Sequence, residues 1–208
     1  MEIHGIYDPW LVALSFVVAC AAAYAALRLA GSAKDGDLPV SPTLQHVAAA
    51  AVVLGSGIWT MHFVGMLAFS LPGMTITYRL DLTVLSLLIA VAFTGIGFTT
   101  LHNARGLGES HVLAGIPMGI GILTMHYLGM AAMKGEMDLH YDVWLVILSA
   151  VIAITASIAA LWLTTRPGRI ARRGLSAVVM GMAICGMHYT GMKAARFHMP
   201  EPDFSAPD

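Results

Sequence analysis

The chain has 208 residues, 58% of them hydrophobic and only 11% charged, with a formal net charge of -1. Soluble domains carry about 25% charged residues, so an ordinary water-soluble globule is excluded, and a near-neutral chain lacks the basic field that nucleic acid requires. Two cysteines, Cys20 and Cys185, lie in separate apolar runs and argue for buried thiols rather than a disulfide framework.

The N-terminal segment is acidic (Glu2, Asp8) rather than a basic leader, so the first apolar run, Pro9–Ala30, reads as a retained span. The second run, Leu44–Leu71, contains Met61-His62-Phe63-Val64-Gly65-Met66. The third, Leu82–Leu101, is introduced by Leu80-Asp81 and reaches Ser86 early. The fourth, Val112–Met133, holds a Gly115/Gly119 pair where two backbones can approach closely, Pro117 as a source of a kink, and Met125-His126-Tyr127-Leu128-Gly129-Met130. The fifth, Val143–Leu163, opens with Tyr141-Asp142-Val143-Trp144 and Ser149, matching Tyr7-Asp8-Pro9-Trp10 and Ser15 before and within the first. The sixth, Gly174–Ala195, contains Met187-His188-Tyr189-Thr190-Gly191-Met192. Each run has roughly the 20 residues that cross a bilayer as helix. No segment reads as a strand, and residues 199–208 read as a flexible tail.

The histidines of the three motifs are 64 and 62 residues apart, and the openings of the odd runs recur with them. The chain therefore reads as an all-α, polytopic membrane bundle of six transmembrane helices, built from three helical-hairpin repeats at about 7–72, 78–137 and 140–198. Every unit has two spans, so the copies share one orientation and surround a pseudo-threefold axis along the membrane normal. Helices 2, 4 and 6, rich in small residues, are expected to line the inside.

Seven of the eleven basic residues (Arg28, Lys34, Arg105, Arg166, Arg169, Arg172 and Arg173) fall at the end opposite the motifs. Because Lys and Arg are retained on the cytoplasmic side, the Met-His clusters and both termini are expected on the external face of a bacterial inner membrane.

At about 100° per residue, His62 and Met66 share one helical face and Met61 lies next to it. The same holds for Met125, His126 and Met130, and for Met187, His188 and Met192. Gly65 leaves that arc open to a neighbouring helix or ligand. A methionine on a membrane helix is ordinarily packing, and a buried histidine is ordinarily a hydrogen bonder. Three copies at matched depth point instead to a metal centre. Thioether with imidazole is a soft to borderline ligand set, and copper suits it better than zinc, which more often recruits Cys or carboxylate. His62, His126 and His188 are the expected ligands, with Met66, Met130 and Met192 as nearest thioethers and Met61, Met125 and Met187 as secondary ones.

Solvated loops or accessory ligation are both open to His4, His140 and His198, and helix capping or imidazole support to Asp8, Asp81 and Asp142. Tyr7, Trp10, Tyr141 and Trp144 fit an interfacial aromatic belt.

These motifs, with the tetrapeptide Met187-His188-Tyr189-Thr190, resemble those of the MHYT domain, a bacterial integral-membrane sensor module, over Tyr7 to Met192. The first copy departs at Phe63-Val64 and the second at Leu128, neither a proposed ligand position. The resemblance implies a sensory role in signal transduction, with copper held by the Met and His residues and a diatomic gas (oxygen, CO or NO) or redox state as the signal. It also implies coupling to a cytoplasmic output domain, such as one turning over cyclic-di-GMP. A seventh helix and output domain, usual in that family, do not follow here, so the sequence is expected to be the sensor region of a longer protein or a stand-alone version. A copper carrier and a b-type haem protein are the alternative readings. No nucleophile–base set or phosphate loop points to an enzyme.

Overall fold

The computed structural model describes residues 2–3, 5–32, 42–103, 109–135, 138–164 and 170–198. His4, Lys34, Arg105, Arg166, Arg169 and the tail lie outside the described residues. Among the described residues six helices dominate: α1 (Pro9–Ser32), α2 (Pro42–Ala68), α3 (Leu80–Asn103), α4 (Glu109–Ala131), α5 (Val143–Thr164) and α6 (Ile170–Ala194). All six are long and apolar enough to cross a membrane. Each packs against its neighbours in chain order, α6 closes the ring on α1, and α2, α4 and α6 also touch one another at the centre. In the central windows of α2, α4 and α6, 44–50% of residues are buried, against 22–28% in α1, α3 and α5, so the even helices form the inside and the odd helices face lipid.

The small residues act where two backbones meet. A Cβ on Gly115 or Gly119 of α4 would collide with the backbone of Ile158 or Ile154 of α5, which is how the expected close approach is realised. Helix α4 runs uninterrupted through Pro117.

The motif-bearing end departs from the helix-only expectation. Among the described residues seven strands of two to four residues lie there: β1 (Glu2–Ile3), β2 (Ile6–Tyr7), β3 (Phe69–Ser70), β4 (Thr77–Tyr78), β5 (Met133–Lys134), β6 (Asp138–Tyr141) and β7 (Ala195–His198). The apolar runs expected to end at Leu71, Met133 and Ala195 leave the helix at Ala68, Ala131 and Ala194 and become extended. Pieces this short carry no readable alternation; six of them form because each hairpin brings the segment after its even helix beside the segment before its odd helix, and β1 adds to the far edge of β7 in the third hairpin. Tyr7 faces Phe69, Tyr78 faces Met133 and Tyr141 faces Ala195, all antiparallel. One backbone bond follows each pair: the N–H groups of Asp8, Arg79 and Asp142 donate to the carbonyls of Ala68, Ala132 and Ala194, each at 2.8 Å. The hairpin is thus the structural unit.

Those bonds also set the true register of the repeat. Asp8 and Asp142 cap their helices: Asp8 Oδ1 accepts from the N–H of Trp10 at 2.8 Å and of Leu11 at 3.3 Å, and Asp142 Oδ1 from Trp144 at 3.0 Å and Leu145 at 3.4 Å. The equivalent position in the second hairpin is Arg79, not Asp81. Asp81 stands two residues further on and is bound by the Arg79 guanidinium at 2.6 Å. The sequence alignment that grouped Asp81 with Asp8 and Asp142 is therefore shifted by two residues. Trp10 and Trp144, 83% and 80% exposed, project outward as an interfacial belt requires.

Candidate metal centre

Each even helix delivers one histidine to the axis. His62, His126 and His188 are buried to within 1% of complete. Their Nδ1 atoms converge: His62 lies 3.1 Å from His188 and 3.2 Å from His126. Among the described residues this is the one trio of His, Cys or carboxylate side chains close enough to share a metal ion, with all ligand atoms within 4.8 Å of one another.

A neutral imidazole nitrogen carries either a proton or a lone pair, not both. Three mutually close Nδ1 atoms therefore cannot all be paired by hydrogen bonds among themselves. One central cation would satisfy three lone pairs at once. Three ligands at about 2.0 Å from a tetrahedral metal stand about 3.3 Å apart, close to the spacing observed. The residues fit a metal bound by three imidazoles. They do not fit haem, since axial imidazoles must face each other across a macrocycle and these nitrogens leave no room for one.

The opposite ring edge explains the glycine of the motif. A Cβ on Gly65 would strike His188 Nε2, one on Gly129 would strike His62 Nε2, and one on Gly191 would strike His126 Nε2. Each imidazole thus lies over the glycine of a neighbouring helix, in a closed cycle α2 to α4 to α6 to α2. The sequence reading that the glycine leaves room for an approaching group holds, and the group is another repeat's histidine. None of the three Nε2 atoms has a hydrogen-bond partner.

The residue after each histidine points to the next hairpin. Phe63, Tyr127 and Tyr189 meet Tyr78, Tyr141 and Tyr7 edge to face, with ring centroids 5.9, 5.3 and 5.8 Å apart. Burial is the main cause that pushes the phenols of Tyr7, Tyr78 and Tyr141 up to about 12, so they stay protonated. Tyr189 and Tyr127 share hydrogen bonds of 2.9 Å with Ser15 and Ser149. Phe63 has no hydroxyl, and Ser86 instead accepts from Trp59 Nε1 at 3.0 Å. Sequence reading did not assign these serines a role. The signal was present, since all three recur one to two turns into the odd helices.

The six motif methionines are all buried, in two layers. Met61, Met125 and Met187 belong to the main core, and Met66, Met130 and Met192 to a separate cluster with Leu71 and the strand residues Phe69 and Phe197. The imidazoles lie between these layers. Among the described residues no other histidine candidate joins this trio. His140 and His198 neighbour each other on β6 and β7, with ring centroids 5.4 Å apart. Cys20 and Cys185 are free thiols.

Fold and centre together define a class: a multi-pass membrane protein of three repeated hairpins with a buried tri-imidazole cluster on its axis. The chain belongs to the MHYT family, the bacterial signalling protein N-terminal repeat, whose profile matches residues 1–40, 55–115, 119–177 and 181–206. Three curated relatives are similar along nearly all of it. The bifunctional diguanylate cyclase/cyclic di-GMP phosphodiesterase MucR of Pseudomonas aeruginosa is 44% identical over 92% of this chain and 28% of its own length. The cyclic di-GMP phosphodiesterase NbdA of the same species is 41% identical over 93% and 25%. The signaling protein YkoW of Bacillus subtilis is 33% identical over 95% and 25%. The chain thus spans about a quarter of these relatives, and the enzymatic names of the first two describe much longer proteins. No solved structure matches.

Proposed function

We propose that this chain is a membrane-integral sensory module that binds copper through His62, His126 and His188 and responds to a diatomic gas or to redox state. The observation that carries the reading is the convergence of three fully buried Nδ1 atoms at 3.1 and 3.2 Å. Copper, when bound, supplies a redox couple and a coordination position for a small ligand. The choice of copper rests on the donor set: among the described residues no carboxylate joins the trio, and six buried thioethers flank it in sequence, a soft environment that favours Cu(I). Met66, Met130 and Met192 would supply further ligands, and Met61, Met125 and Met187 secondary ones.

The protein's part is mechanical. Each imidazole is wedged against another helix's glycine, so a change in their spacing displaces α2, α4 and α6 together. The edge-to-face pairs Tyr189–Tyr7, Tyr127–Tyr141 and Phe63–Tyr78 would carry such a shift to the starts of the odd helices. Switching requires two discrete arrangements of this bundle. By analogy with the relatives, the output would be a cytoplasmic domain acting on cyclic di-GMP, with the centre on the external side.

Elemental analysis and an absorption spectrum of protein purified in mild detergent test the reading. Copper bound in wild type and lost in the triple His62→Ala, His126→Ala, His188→Ala variant is expected. Zinc in its place, or copper unchanged in that variant, overturns it.

A carrier of Cu(I) is the second reading, and one observation favours it. Met118 and Met180, deeper in the bundle, are both buried and line the same space as Met187. Met182 is 53% exposed and faces lipid.

A further inference from the structure

Beyond the imidazole layer, on the side away from the strands, the core contains a cavity of about 20 Å³ between α2, α4, α5 and α6. Its walls include Leu54, Met118, Ala156, Ser157, Ala183 and Met187. Among the described residues Ser157 is the one polar residue in the lining, and its Oγ already donates to the Ala153 carbonyl at 2.8 Å. A buried water needs two to four polar partners, and this hydroxyl is a single partner that can only accept, so the cavity is dry. Roughly 10–15 Å³ accommodates one water-sized sphere; the space therefore admits one very small molecule and excludes a lipid chain or an organic cofactor. Dryness rejects polar solutes and size rejects larger apolar ones.

Access and position narrow the role. α5 is the least buried helix of the bundle, and the cavity wall it contributes is made of Ala153, Ala156, Ser157 and Ala160. Ala156 and Ala183 are only half-buried, so the barrier to the bilayer between α5 and α6 is thin. Nonpolar solutes concentrate in the bilayer interior. At the other side, Met187 lines the cavity and is the chain neighbour of His188.

We propose that this cavity is a binding site for a small nonpolar gas molecule of diatomic size, reached from the hydrocarbon of the membrane between α5 and α6. Its occupancy follows from size and dryness alone; its service to the histidine centre rests on the reading under Proposed function.

Xenon is the probe. The metal-free full chain in detergent, carrying 13C-methyl methionine, is titrated with xenon and followed by NMR. The Met118, Met180 and Met187 methyl signals are expected to shift saturably, while lipid-facing Met182 shifts linearly with dissolved xenon. Ala183→Leu and Ala156→Leu, on different helices, fill the cavity and should each abolish saturation, with unshifted Met66 and Met130 signals reporting an intact fold. A linear response at all four methyls, or saturation surviving in both variants, overturns the proposal. So does silver(I) shifting the three methyls and blocking xenon, which would make the space a soft-cation site. Copper content is measured separately, so loss of the copper reading and loss of the gas site give different results.

Discussion

The place of each imidazole depends on a glycine in a different helix, so the centre is sensitive to single methyl groups. In Gly129→Ala the new methyl meets His62 Nε2 and must push the ring off the axis. Overpacking of this kind costs about 1–3 kcal/mol. The expected result is a lower melting temperature together with metal content reduced to the level of His62→Ala. Gly186→Ala, where nothing lies within 4 Å, should leave both unchanged or raise stability slightly. Equal effects at Gly129 and Gly186 would contradict the interlock. The aromatic after the histidine offers a second test. Trp59→Phe removes the donor to Ser86 and should cost about 0.5–1.5 kcal/mol. Adding Phe63→Tyr in that background should recover much of the loss, because it recreates the Tyr–Ser pair of the other two hairpins. Thermal unfolding of the single and double variants checks this.

At the scale of the element, the short strands and caps tie each odd helix to its even partner. Asp8→Ala removes a cap from α1 and is expected to cost about 0.5–2 kcal/mol, measured as thermal stability in detergent. Asp142 combines its cap with an ion pair to Arg196 at 3.1 Å. That guanidinium's hydrogen bond, with the Leu145 and Trp144 N–H groups, holds the carboxyl below the usual carboxylate range. A carboxyl held low in the folded state stabilises it above the ordinary carboxylate value. The contribution then fades as pH falls through the lowered value. Asp142→Asn keeps a capping oxygen but loses the charge. Its melting temperature should fall less steeply than wild type on acidification and differ most near neutrality. Arg79 in the equivalent place of the second hairpin cannot cap, which leaves the start of α3 dependent on β4 and β5.

For the whole molecule, orientation is decided by charge rather than packing. Reporter fusions within residues 165–169 and after residue 198 are expected to report the cytoplasmic and external sides respectively, in line with the basic bias of the end opposite the motifs. The reverse pattern would move the histidine centre to the cytoplasmic side. The ring closure of α6 on α1 makes the bundle one body, so displacement at the axis is felt by every hairpin.

The span count, the threefold repeat and the inward placement of the even helices, which carries one histidine of each to the axis, were legible in the sequence. They depend on hydrophobic run length and on repeated local patterns, which one chain displays without reference to its partners. Tertiary structure alone decided the rest. It chose Nδ1 as the converging nitrogen, because ring orientation follows from the glycine of another helix, 65 to 123 positions away in the chain. It made strands of Phe69–Ser70 and Met133–Lys134, because two-residue segments become extended only when a neighbour pairs with them. It replaced Asp81 by Arg79 in the repeat, because register is set by a backbone bond to Ala132 and not by side-chain likeness. The dry cavity likewise exists only where four helices fail to fill the space between them, a property of packing that no single helix carries.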